Sequence, residues 1–163
     1  MKLKREALAH YLGTSFDVKT AATNETWFRL GKDIEELSIE LNPDTETTKN
    51  ILGETSVKDN GYEPSASADP YYANPEDTIY SKVKDIAFDR LKGDACKTLY
   101  LEVIIDDTDE SATYEGWVEE AVIKPQSYGG GTEGVNIPFD ILFDGNRKKV
   151  SVKIIDGAPV VQP

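Results

Sequence analysis

The stretch NPEDTIYSKVKDIAFDRLKG, residues 74–93, predicts the one α-helix of this chain and, with it, the class of fold. Asn74 is a favoured N-cap, Pro75 suits the first helical turn, and Gly93 can adopt the left-handed conformation that often ends a helix. Such a helix should cover one face of a larger structure, because its apolar side chains recur at spacings of three and four residues. These side chains are Ile79, Val83, Ile86, Ala87 and Leu91.

Much of the remaining chain alternates apolar and polar residues with a period of two, which is the pattern of half-buried strands. Asp144, Gly145 and Asn146 form a sequence typical of a tight hairpin turn. Six or seven strands and one helix predict a mainly-β (α+β) fold, a β-sandwich or barrel with one flanking helix, in a single domain over residues 1–163. The predicted strands cover residues 27–30, 33–41, 98–106, 116–124, 135–143 and 149–155, with a last one at 158–162.

Composition narrows the class of protein. Hydrophobic residues make up 39% of the 163-residue chain and charged residues 29%, which is typical of a globular domain. The formal net charge of −12 disfavours ordinary nucleic-acid binding, because phosphate backbones are repelled. We find no secretory signal and no apolar run approaching the roughly 20 residues that cross a bilayer, so we expect no membrane partner. Cys96 is the single cysteine, so no internal disulfide forms, and it should be a buried apolar group.

No motif carries recognisable chemistry, so we expect no enzyme, no cofactor and no metal. His10 is the only histidine, and nothing pairs it with a nucleophile. The three glycines at 129–131 are not followed by the residues of a phosphate loop. The densest acidic cluster, in the turn 106–110, lacks the glycine of a calcium loop and is better explained as a solvated turn, although cation binding there stays open.

The alternation in residues 33–41 separates two faces of one predicted strand. Its apolar face carries Leu37, Ile39 and Leu41, and its wet face carries Glu36, Ser38 and Glu40. Three polar positions, two of them acidic, should therefore stand in line on the exposed side.

Two segments fit the body of the domain less well. Residues 42–73 are rich in Thr, Asp, Glu, Asn, Pro and Ser, and they predict a long projecting loop or hairpin, a kind of segment that is generally functional. Residues 1–16 predict an N-terminal arm, in which residues 1–12 form a short helix or order only against a partner, since such a helix is too short to be stable alone.

Several stretches, taken in order, resemble the major tail protein, or tail tube protein, of long non-contractile-tailed bacteriophages of Gram-positive hosts. They span most of the chain. They are MKLKREALAHYL, WFRLGKDIEELSIELNPDTET, SVKDNGYEPS, ADPYYANPEDTIY, RLKGDACKT and KPQSYGGGTEGVNIPFDILFDGNRKKVSV.

The resemblance implies a structural virion protein without enzymatic activity. Its subunits would self-assemble into hexameric rings, joined edge to edge, that stack into a tube around the tape-measure protein and later conduct DNA without binding it specifically. The tail terminator and distal tail proteins would be further partners, and the tube would be assembled in the host cytoplasm and reside in the virion tail.

Under this resemblance, two groups of residues gain provisional roles. We expect Glu36, Ser38 and Glu40 to face the lumen of the tube, where negative charge keeps DNA mobile. The arm and the long loop would contact neighbouring subunits or rings. The candidate contact residues are Leu3, Leu8, Tyr11, Leu12, Ile51, Leu52, Tyr62, Tyr71 and Tyr72.

Two alternative functions stay open. One is the tube protein of a contractile injection system, which shares the fold and differs in what surrounds it. The other is a carbohydrate-binding β-sandwich module, with Trp27, Trp117 or the pair Tyr71 and Tyr72 as its aromatic platform.

Overall fold

A seven-stranded antiparallel sheet, curled as a half-barrel, forms most of the molecule in this computed structural model. The structure describes residues 2–106 and 111–163. The mainly-β fold with one helix is therefore confirmed, with seven strands in one curled sheet and two more in a separate hairpin. The strands are β1 Leu8–Gly13, β2 Trp27–Leu30, β3 Pro43–Lys49, β4 Thr55–Tyr62, β5 Ser65–Ala68, β6 Lys97–Ile104, β7 Tyr114–Pro125, β8 Phe139–Ile155 and β9 Ala158–Val161.

The order of strands across the sheet is β2-β1-β6-β7-β8-β5, and β9 also pairs with β8. Strand β8 is long enough to pair with β7 over residues 139–152, with β5 through its first four residues and with β9 through its last four. Among the described residues, no helix is long and apolar enough to cross a membrane.

The predicted hairpin turn at residues 144–146 is wrong, because these residues lie inside the single strand β8. The pairing of β7 with β8 shifts register around Glu120, which lies opposite Gly145. Gly145 and Asn146 have φ angles of 102° and 57°. A β-bulge uses such positive φ angles just as a hairpin turn does, so the same sequence bends the strand here instead of reversing it.

The helix α1, Tyr80–Phe88, is shorter than the predicted 74–93, and its apolar stripe is confirmed. Asn74 closes a preceding turn, in which its Oδ1 accepts the Glu76 N–H at 3.0 Å, and it is not the N-cap of the helix. The chain leaves the helix at Arg90, which adopts a left-handed conformation with φ 53°. The Leu91 N–H then donates to the carbonyl of Ile86 at 3.1 Å, as in a Schellman motif.

Both faces of the sheet are covered by this chain. On one face, α1 packs with Leu12, Tyr100 and Ile123 into one apolar cluster. On the other face, a second cluster contains Tyr11, Leu101 and Val118. Cys96 is free and buried in the first cluster, as predicted.

Two predictions of local structure are wrong. Residues 8–13 form strand β1 between β2 and β6, and not a short helix or an arm. Residues 33–41 are no strand, since their one ladder contact in the described chain is the bridge between Glu40 and Ser65. Their alternation holds only in part, because Leu37 is buried while Leu41 is exposed.

Gly145→Ala should destabilise the subunit, whereas Gly131→Ala should not. An added Cβ meets open space at both positions, but only Gly145 has a φ in the region that favours glycine. We expect a loss of about 1–3 kcal/mol for Gly145→Ala and less than about 0.5 kcal/mol for Gly131→Ala in the free energy of unfolding. Equal losses in urea titrations of the two variants would contradict the bulge.

Candidate assembly surfaces

The hairpin formed by β3 and β4 is the most exposed element of the described chain. It is a separate two-stranded sheet, and every residue in its strands is exposed except Gly61, which is partly buried. Its base is held by Asn42, whose Nδ2 donates to the carbonyl of Glu63 at 3.0 Å. A two-stranded hairpin is at best marginally stable alone, so a surface of this kind is expected to find a partner.

The turn at the end of this hairpin is well ordered. The Oδ1 of Asn50 accepts the backbone N–H groups of Leu52 and Glu54 at 2.9 and 3.0 Å. Gly53 occupies a left-handed conformation with φ 82°. As a result, Ile51 and Leu52 are presented to solvent on a fixed turn.

The line of Glu36, Ser38 and Glu40 is exposed, as the alternation predicted for these three side chains. They line a shallow groove together with Ser65 and Ser67 of the edge strand β5. The acidic Asp140 of β8 also lines this groove. Their exposure places negative charge along an open sheet edge.

The predicted contact residues fall into two groups. Leu3, Ile51, Leu52 and Tyr62 are exposed and free to meet another subunit. Leu8, Tyr11 and Leu12 lie in the interior strand β1, and Tyr11 and Leu12 are buried. The contact role predicted for Tyr11 and Leu12 is therefore wrong, because their side chains fill the core of their own subunit.

The two adjacent tyrosines differ in environment. Tyr71 is buried, and its hydroxyl donates to Asp77 Oδ2 at 3.2 Å; burial and Asp77 raise the pKa of Tyr71. It therefore supports the core, and its predicted contact role is wrong. Tyr72 is partly exposed and donates to Glu133 Oε2 at 2.8 Å, so it can still contribute to a contact.

One face of the sheet becomes polar beyond the helix-packed cluster. Arg147 of β8 donates to Glu119 Oε1 at 2.8 Å and to Glu102 Oε1 at 3.3 Å. Both carboxylates are buried, and burial raises the pKa of Glu102 while Arg147 opposes that effect. Breaking such a pair would leave carboxylates uncompensated, so this cluster locks β6, β7 and β8 together.

His10 belongs to the same polar region. The guanidinium of Arg5 can only donate, so the Nε2 of His10 accepts from it at 3.1 Å and the Nδ1–H donates to the Tyr100 hydroxyl at 2.8 Å. Burial, with Arg5 and Arg29 nearby, lowers the pKa of His10 from 6.5 to about 4. The imidazole is therefore neutral at pH 7 and serves as a structural link.

The described part of the chain holds no group of His, Cys, Asp or Glu side chains arranged to bind a metal ion. An open depression does collect carboxylates, lined by Asp33, Glu35, Glu36, Asp69 and Glu133. Of the acidic turn 106–110, only Asp106 lies within the described residues.

The aromatic residues of the carbohydrate alternative do not form one platform. Trp27 packs in the second cluster, on the face that also carries Tyr11. Trp117 lies opposite Glu102 in the ladder, and Glu102 lies opposite His10, so these three side chains share one face of the sheet. Trp27 packs on the other face. Arg147 and Lys149 lie 5.8 and 5.9 Å from the centre of the Trp117 ring.

The arrangement of this chain matches a solved tube. A chain of the SPP1 tail tube, from a hybrid solid-state NMR and cryo-electron microscopy structure, aligns with a TM-score of 0.56 over 96% of this chain and 82% of that one, at 14% identity. Its fold is the tail-tube fold. A chain of the sheath–tube complex of the PVC extracellular contractile injection system in its extended state aligns with a TM-score of 0.45 over 94% and 93%, at 8% identity. No protein-family model and no curated protein matches the sequence.

Sequence reasoning missed two features of this tail-tube fold. The first is the pairing of the basic run at residues 147–149, where Arg147 lies 2.8 Å from Glu119 and Lys149 lies 3.0 Å from Glu115 within the same chain. The strand register would have shown this, since it aligns the acidic residues of β6 and β7 with β8. Contact between Phe88 and Tyr128, which are 40 residues apart, carries no local sequence signal.

The free energy of unfolding should depend less on pH in the His10→Gln variant than in the native protein when the pH falls below about 7. The folded pKa of His10 lies below its ordinary value, so its contribution is present above about pH 6.5 and is lost as the pH falls toward about 4. The native protein should lose on the order of 2 kcal/mol more than the variant between about pH 7 and pH 5. Urea titrations at the two pH values measure this, and parallel losses would contradict a buried neutral imidazole.

Proposed function

We propose that this chain is the tail tube protein of a long non-contractile-tailed phage of a Gram-positive host. Six subunits would join edge to edge in a ring, and the rings would stack into a tube that conducts DNA. The proposal is supported by the tail-tube fold and, above all, by the exposed β3–β4 hairpin, which buries nothing in its own subunit. The role is structural, so we expect no catalytic activity.

The open edges of the sheet support ring formation. The main sheet ends in β2 on one side and in β5 and β9, which pair with different parts of β8, on the other. In the described chain, the outer side of β5 is covered only through the bridge between Glu40 and Ser65. Unpaired strand edges are a liability in a monomer, and pairing with a neighbouring subunit satisfies them.

The hairpin would supply contacts to neighbouring subunits or rings. Burial of its exposed apolar side chains against a neighbour would stabilise the assembly, because apolar area would be removed from water. These side chains are Ile51, Leu52, Val57 and Tyr62. Leu3 at the N-terminus offers a further exposed apolar side chain for the same purpose.

In the assembled tail, further proteins would meet the tube. We propose the tape-measure protein inside it, and the tail terminator and distal tail proteins at its ends, with assembly in the host cytoplasm. The net charge of −12 supports passage of DNA without tight binding, since like charges keep the duplex hydrated and mobile.

Shortening the hairpin should abolish assembly and preserve the fold. Replacing residues 44–61 with Asn-Gly joins Pro43 and Tyr62, which are paired partners. Because no residue of this hairpin is buried, the free energy of unfolding should change by less than about 1 kcal/mol. Light scattering of concentrated protein then measures assembly. A shortened variant that still forms tubes as readily as the native chain would overturn the role of the hairpin.

The lumen hypothesis for Glu36, Ser38 and Glu40 is tested by charge reversal. Glu36→Lys with Glu40→Lys should slow DNA transit during ejection, because cations in a lumen would hold phosphates. A control, Asp17→Lys with Glu76→Lys, makes the same change of charge at two exposed positions outside the groove and should leave transit unchanged. Unaltered transit in Glu36→Lys/Glu40→Lys tubes that assemble normally would place these residues elsewhere.

A further inference from the structure

An exposed pair of aromatic rings lies beside the end of helix α1. Phe88 is the last residue of α1, and Tyr128 lies in the loop after β7. Their ring centroids are 4.3 Å apart, and about half of each residue is exposed, 51% and 48%. Of the aromatic ring contacts in residues 2–106 and 111–163, this is the one in which both partners are exposed. We call it the aromatic pad.

The tip of the hairpin presents a second exposed apolar surface. Ile51 and Leu52, the apolar tip, are held out by the turn that Asn50 and Gly53 stabilise. Ile51 is fully exposed, so in an isolated subunit the tip packs against nothing described in its own chain. A preordered tip loses little conformational entropy when it docks.

The charges around the two surfaces are complementary. Residues 80–92, which surround the pad on its helix side, contain four cations and two anions, a net charge of +2. Residues 43–62, which form the hairpin, contain two cations and four anions, a net charge of −2. In a chain of net charge −12, two copies repel each other overall, and contact between these two oppositely charged segments would reduce that repulsion.

We infer that the apolar tip of one subunit packs on the aromatic pad of a second copy of the same chain. This inference rests on the proposed self-assembly and adds to it the acceptor for the hairpin. The aliphatic tip would cover the exposed ring faces, and the acidic strands would lie against the basic end of α1. Aromatic residues at the centre of an interface often contribute most of its binding energy.

Cysteine cross-linking between two separately purified variants tests this contact. One partner carries Leu52→Cys and the other carries Tyr128→Cys, and the native Cys96 is buried and does not compete. The two are mixed under assembly conditions and oxidised, and the joined peptides are identified by mass spectrometry. A control partner carries Leu142→Cys, an exposed position on β8 outside the pad. Phe88→Cys is the second pad variant, in case Tyr128→Cys does not assemble.

We expect a disulfide between position 52 and a pad position, in clear excess over any disulfide between positions 52 and 142. Assembled tubes that give no disulfide with position 128 or 88, or equal yields with position 142, would overturn the inference and leave the proposed function intact. If the unsubstituted chain forms no assembly at any concentration, the proposed function fails and the inference fails with it.

Discussion

The bulge at residues 144–146 lets one strand, β8, organise the whole sheet. Gly145 and Asn146 accept positive φ angles, so β8 bends and continues rather than reversing. Its first four residues pair with β5 and its last four with β9, while β7 pairs with it over residues 139–152. The residue after the bulge is Arg147, whose side chain reaches the buried carboxylates of Glu102 and Glu119. A single backbone constraint thus sets both the curvature of the sheet and its main buried charge cluster.

The covered faces of the sheet have a consequence for assembly. Each subunit fills its interior with its own side chains, in two apolar clusters on opposite faces. What it leaves uncovered are the strand edges, the β3–β4 hairpin and a few apolar side chains such as those of the aromatic pad. Strand edges can form backbone hydrogen bonds with a neighbour, and the hairpin can bury apolar side chains against it. Neither contact disturbs the core of the chain. This division suits the self-assembly that we propose, because the chain could complete its fold before it meets a neighbour.

Some of this architecture could be predicted from the sequence, because it depends on local periodicity. The apolar stripe of α1 and most of the sheet strands follow from spacing alone. The helix boundaries could not be predicted from spacing. The helix ends at Arg90, which adopts a left-handed conformation, and not at Gly93, where the sequence predicts the end. The hairpin turn predicted at residues 144–146 is wrong for a related reason, because a bulge and a turn need the same φ angles.

Other features depend on contacts between distant residues. Strand β1 is buried on both faces, so its side chains form a short apolar run that periodicity cannot separate from a helix. Residues 33–41 alternate well and still form no strand, because alternation predicts which side chains share a face and does not supply a pairing partner. Their one ladder contact among the described residues is the bridge between Glu40 and Ser65. The bonds from His10 to Arg5 and Tyr100, and the aromatic pad, join residues whose proximity only the folded chain reveals.

The most direct test of the central claim, that this chain is a tube subunit, is electron microscopy of the purified, unsubstituted protein over a range of concentrations. We expect rings with sixfold symmetry that stack into hollow tubes as the concentration rises. A species that stays monomeric at every concentration, or that forms only amorphous aggregates, would contradict it.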